Sequence, residues 1–136
     1  MTLATPAARG VAPRPAVLLI HGGCWLFGTR HQLHWYTRHF AEQGYVVAAI
    51  QYRMMPKYRL PDCVEDCKAA VRWLRLHAAE YNIDPDRIVA LGNSAGGHLA
   101  AMLGVTSPDD GFDGVENPGA SFVPGRGRDF VVGRVM

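Results

Sequence analysis

No secretory leader is legible at the start of this sequence. Met1 to Ala16 carries Arg9 and Arg14 but no apolar core, and the nearby hydrophobic run, Ala16 to Ile20, is far too short for a signal peptide or a membrane span. Cysteine is scarce. Cys24, Cys63 and Cys67 form an odd set without framework spacing, which argues against a disulfide scaffold and for a reducing, cytoplasmic compartment; a leader upstream of Met1 would reopen secretion. Charge of one sign is lacking as well. A net charge of +2 from mixed residues, with no basic stripe interleaved with aromatics, argues against nucleic acid as a partner. Metal-ligand spacing is weak: His31 and His34 are joined by no carboxylate or cysteine at helical spacing, and Cys63 and Cys67 have no second pair. No Gly-Lys-Ser/Thr closes a glycine-rich loop, so a phosphate-binding P-loop is excluded. No metal or cofactor is implied.

What the sequence does hold is enough chain for one domain, which at this size buries on the order of two thirds of its unfolded surface. It is arranged around Ile88 to Leu103, a short apolar run, the pentapeptide Gly92-Asn93-Ser94-Ala95-Gly96, and a run of small residues with helical character. The pattern predicts strand, sharp turn, helix. A serine at such a turn is lifted above the sheet edge, while a Cβ at Gly92 or Gly96 would collide with the neighbouring strand or helix. The helix begins at the serine, so its free N–H groups and positive dipole end lie where an oxyanion would form. Upstream, Val17-Leu18-Leu19-Ile20 runs into His21-Gly22-Gly23-Cys24-Trp25, a buried strand opening on a His-Gly-Gly turn.

With both motifs in this order, the chain resembles the α/β-hydrolase superfamily, in the esterase/lipase branch that has a His-Gly-Gly loop and includes hormone-sensitive-lipase-like and feruloyl-esterase-like carboxylesterases. Tyr52-Arg53 at a strand end, Asp62 to Leu76 with Asp66 and Trp73-Leu74, and Ile83 to Ile88 leading into the turn extend the similarity over Pro15 to Val105. The resemblance implies Ser94 as nucleophile, an oxyanion hole from Gly22, Gly23, Cys24 and Ala95, and a small-molecule ester substrate. It also implies that His21 orders the loop backbone, and that His98, one turn after Ser94, is structural. Cys24, where many relatives carry a third glycine, is read as a small packing residue.

The expected fold is α/β, a partial α/β-hydrolase fold with three parallel strands (Val17 to Ile20, Tyr45 to Ile50, Ile88 to Leu91) and flanking helices, its first strands and C-terminal half missing. The second strand should lie beside the first, and the elbow strand on the first strand's other side. Met1 to Pro15 is expected as a disordered leader, 16–106 as the core, and 107–136 as an irregular tail. Arg30 to Gln43 is predicted helical, with Leu33, Tyr36 and Phe40 on one face and Gly44 after its end. Asp62 is predicted to N-cap the next helix with Glu65, and Val64, Cys67, Val71, Leu74, Ala78 and Tyr81 to form one buried face. Asn82 to Arg87 is expected as a turn. Met54 to Pro61 is either a connecting loop or an adaptable cleft wall.

After Ser107 the pattern dissolves. Asp109, Asp110, Asp113 and Glu116 share a glycine-rich loop, and Phe130-Val131-Val132 is too short to read as a confident strand. The order in this fold is serine, acid, histidine, and no histidine follows His98. The expectation is therefore a serine carboxylesterase by descent, inactive or incomplete over these residues, with a non-catalytic α/β binding module as the alternative. Oligomeric state is not legible.

Overall fold

The structure, a computed structural model, describes residues 1–7 and 12–116. The elements run β1 (Thr2–Ala4), β2 (Arg14–Ile20), α1 (His34–Glu42), β3 (Val46–Ile50), α2 (Leu60–Leu76), α3 (Ala78–Tyr81), β4 (Ile83–Gly92) and α4 (Ala95–Val105), with single 3-10 turns at Arg30–Leu33 and Pro108–Asp110. Among the described residues they form one mixed sheet of order β1-β3-β2-β4. β3 and β4 flank β2 in parallel, as expected, with Val17 opposite Val47 on one side and Val89 on the other.

β2 and β3 read as unbroken apolar runs because both faces are covered, and Ala16 to Ile20 and Val46 to Ile50 are all buried. One face of the sheet packs on α2 and α4. Val64, Cys67, Val71 and Leu74 are completely buried there, together with Leu99, Ala100 and Leu103. The opposite face is smaller, built from Val17, Leu19, Val47 and Ala49 against Leu33 and Phe40. No helix among the described residues is long and apolar enough to cross a membrane.

Several expectations are corrected. The stretch expected as a disordered leader contains β1, which pairs antiparallel with β3 (Thr2 with Ala49, Ala4 with Val47), and residues 14–15 already belong to β2. The three parallel strands are thus joined by an antiparallel fourth. The predicted turn at Asn82 to Arg87 lies largely within β4: Ile83 pairs with Arg14 and Ile88 with Ala16, so two steps along β2 are matched by five along β4. The surplus residues bulge outward, closed by Asp84, which accepts from the Asp86 N–H at 3.1 Å and from Arg87 Nε.

The helix after the first loop is a 3-10 turn followed by α1, and its buried positions are Leu33 and Thr37, whereas Tyr36 is exposed. Asp62 is not the N-cap of α2. Pro61 fits the first helical turn, which moves the start to Leu60 and leaves Asp62 to accept from the Arg59 N–H at 2.7 Å. The long helix also breaks at His77, with Ala78 and Tyr81 only partly buried on α3.

Beyond α4 the chain is tied down where the sequence shows only loop. Lys68, completely buried on α2, has its Nζ 2.6 Å from Asp113 Oδ1, and Arg72 donates to the carbonyls of Asp113 and Glu116 at 2.7 and 2.8 Å. Phe112 packs on the main core. The Phe122 to Arg128 and Phe130 to Val132 stretches lie outside the described residues.

Candidate active site

Ile20 pairs with Gly92, so the residues that leave β2 and β4 do so side by side. The chain reverses from β4 into α4 within two residues. Ser94 makes the reversal, at φ 50° and ψ −120°, a conformation that costs a side-chain-bearing residue about 1–3 kcal/mol. Its hydroxyl is not spent on capping the helix, and the residue is exposed. Close approach enforces the flanking glycines: a Cβ on Gly92 would overlap the Gly96 carbonyl, and one on Gly96 would overlap the Ile20 carbonyl oxygen. Ala95 is the first residue of α4, so its N–H has no intrahelical acceptor.

The second bend is pinned to the first. Gly22 N–H donates to Asn93 Oδ1 at 3.0 Å, and the Leu26 and Phe27 amides both return to Gly23 O at 2.9 and 3.0 Å. Gly23 takes φ 124°, and Cys24 and Trp25 follow at φ 51° and 60°, two successive left-handed residues that are not glycine. Because its N–H is held by Asn93, Gly22 serves here as the anchor of the loop. Of the four residues expected at the oxyanion hole, Gly23, Cys24 and Ala95 have amides that donate to no acceptor among the described residues. Cys24 is exposed and therefore not the packing residue expected of it.

His21 is completely buried, stacked on the Tyr52 ring at 4.4 Å, with Nδ1 2.8 Å from Gly22 O. Tyr52 in turn donates its hydroxyl proton to His21 O at 3.1 Å. Burial holds the imidazole pKa below its ordinary value and raises that of the phenol. His98 packs edge-on against Trp25 at 5.2 Å. Trp25 Nε1 and His98 Nδ1 are buried without a hydrogen-bond partner among the described residues. Trp25 O also accepts from Met55 N–H at 2.8 Å, which fastens the 54–61 segment to the loop. Behind it, Arg53 is held by Asp62, Glu65 and Asp66 at 2.9–3.2 Å.

A strained exposed serine stands at a strand-to-helix bend that Asn93 ties to a second glycine loop, and the family model for BD-FAE matches residues 1–124. The chain belongs to the BD-FAE family. Among its relatives, the probable carboxylic ester hydrolase LipM of Mycobacterium tuberculosis is 41% identical over 99 residues, 72% of this chain and 23% of that protein. The thermophilic esterase Est2 of Thermogutta terrifontis, solved with butyrate bound, superposes with a TM-score of 0.70 at 41% identity, over 74% of this chain and 37% of Est2. A second structure of that esterase, phosphorylated by paraoxon, gives 0.69 at 40% identity over 74% of this chain and 40% of the other. This BD-FAE chain thus spans well under half the length of the relatives it matches.

Sequence reasoning singled out the serine and the glycines but not the side chains that join them. Asn93 is one of the two variable positions of its pentapeptide, and Gln51 follows β3, remote in sequence from the turn at residues 92–96. Nothing in their spacing marks them.

Proposed function

We propose that the site performs carboxylic-ester hydrolysis through an acyl-enzyme on Ser94. The Ser94 oxygen attacks the ester carbonyl as its proton passes to solvent, and the tetrahedral oxyanion is held by the N–H groups of Ala95 and of Gly23 or Cys24. Collapse breaks the ester C–O bond and expels the alkoxide, which takes a proton from solvent; water then attacks the acyl-enzyme, releasing the acid and restoring the Ser94 hydroxyl. The carrying observation is the conformation of Ser94, whose backbone strain serves no capping role and leaves the hydroxyl exposed.

A second reading rests on a specific observation. No histidine follows His98 in the sequence, and among the described residues no base bonds the Ser94 hydroxyl. In subtilisin, loss of the base costs on the order of a millionfold in turnover and leaves about a thousandfold over water. For these 136 residues alone the expectation is slow acylation and little turnover, and in the limit a ligand-binding module. The test is incubation with a short-chain nitrophenyl ester and, separately, with paraoxon, followed by mass spectrometry. Adducts on Ser94 that vanish in Ser94→Ala support the esterase reading. Ester binding with no adduct in either reagent supports the module instead.

A further inference from the structure

The Gln51 side chain, just past β3, touches both ends of the 21–30 loop. Its Oε1 lies 3.1 Å from the Arg30 N–H, and its Nε2 lies 3.0 Å from His21 Nε2, 3.3 Å from Gly28 O and 3.9 Å from the Met54 sulfur. A main-chain N–H only donates, so Arg30 decides which end of the amide is oxygen. The NH2 end then faces the imidazole, and His21 Nε2 is the acceptor. On the other side of the ring the Gly22 carbonyl only accepts, so Nδ1, 2.8 Å away, carries the proton. Two partners on opposite edges of a buried ring therefore require one tautomer.

The tautomer has a geometric consequence. The peptide joining Gly22 to Gly23 is planar and trans, so its N–H points opposite to its C=O. Drawing Gly22 O toward the imidazole turns the Gly23 N–H to the far side, away from His21. We propose that Gln51 is a positioning residue, which locks His21 with its proton on Nδ1 and thereby sets the direction of the Gly23 amide. Burial, which disfavours the imidazolium, keeps the ring in the neutral form this requires. The orientation of the peptide stands on hydrogen bonds alone; its use in holding an oxyanion rests on the esterase reading of Ser94.

Glutamate at this position would reverse the logic. A carboxylate accepts from Arg30 N–H as the amide does, but it also demands a proton on His21 Nε2. Long-range 1H–15N correlation spectra of the full chain report each imidazole nitrogen as protonated or bare. In the unsubstituted protein His21 is expected with Nδ1 protonated and Nε2 bare, and in Gln51→Glu the Nε2 resonance should move to the protonated range. Where Nδ1 loses its proton as Nε2 gains one, the Gly22 carbonyl is released and the paraoxon labelling rate of Ser94 should fall at least about tenfold, a part of the roughly hundredfold or greater cost of losing an oxyanion donor. An imidazolium, recognised by protons on both nitrogens, keeps the Gly22 bond and the parent rate. Gln51→Asn, too short to span Arg30 and His21 together, should leave a mixture of tautomers. A protonated Nε2 in the unsubstituted protein, or a bare one in Gln51→Glu, overturns the proposal. Because the first of these needs no variant, misfolding of Gln51→Glu does not shield it. If the tautomers behave as expected but no protein is labelled, the esterase reading fails and the positioning role stands.

Discussion

Gly96 and Gly104 lie on the same helix, and the same substitution should change stability in opposite directions at the two sites. Both gain from replacing glycine by alanine inside a helix, about 1 kcal/mol at most. Gly104 is exposed near the end of α4, so its variant keeps that gain. At Gly96 the added methyl would overlap the Ile20 carbonyl oxygen and lie 2.7 Å from His21 O, 0.7 Å inside the 3.4 Å where ordinary contact begins. Both partners are main-chain atoms of the central strand and its loop, so no rotamer change relieves the clash. Overpacking costs about 1–3 kcal/mol and sometimes more, and this rigid case belongs at the upper end. After subtracting the helix gain, Gly96→Ala should lose about 2 kcal/mol, or roughly 7 °C in Tm for a domain of this size. Urea unfolding followed by tryptophan fluorescence and circular dichroism measures both variants. A Gly96→Ala protein as stable as its parent, or two variants that shift in the same direction, would refute the close approach of α4 to β2.

Three further outcomes are expected. Ser94→Gly should exceed Ser94→Ala in stability by about 1 kcal/mol, because only glycine is at ease at φ 50°; equal melting temperatures would show that the bend is unstrained. Asp113→Ala should cost about 2 kcal/mol, less than the roughly 3–5 of a fully buried pair because Asp113 still meets water, while Lys68→Met should cost less; the reverse order in denaturant midpoints would contradict the buried ion pair. His21 has a folded pKa below its unfolded value of about 6.5, so its contribution is complete above that pH and is lost as pH falls toward the folded pKa. Stability measured from pH 8 down to pH 5 should decline more steeply in the parent than in His21→Gln, and parallel curves would argue against a buried neutral imidazole.

The parts of the fold legible in the sequence are those whose local pattern and tertiary environment agree. β2 and β3 are continuous apolar runs because helices cover both their faces, and α4 follows the elbow serine directly, as predicted, because a tight bend and small residues leave few alternatives. Where a distant partner decides, local reading fails. Thr2–Ala4 is a strand only because the edge of β3 accepts it. The Asp84 to Arg87 stretch looks like a turn and bulges like one, yet Arg14 pairs with Ile83 and carries β4 past it. Lys68 sits on a helix where a lysine ordinarily snorkels to water, and its ion pair with Asp113, far along the chain, is a contact no local pattern announces. At the site, the elbow glycines announce themselves through sterics. The amide side chains of Asn93 and Gln51 do not, because one hydrogen bond to a remote backbone atom leaves no periodicity to read.

The order in which β2 finds its neighbours bears on how the chain folds during synthesis. Val17 must wait for Val47 and then for Val89 before both its edges are closed, so the central apolar ribbon is made before either of its neighbours and is closed only when the later one arrives. Parallel pairings between such separated segments are slow, since loop closure precedes any reward. Until α4 arrives, the face it will cover is open to other nascent chains, and expression at lower temperature or with a holding chaperone should raise the yield of folded protein.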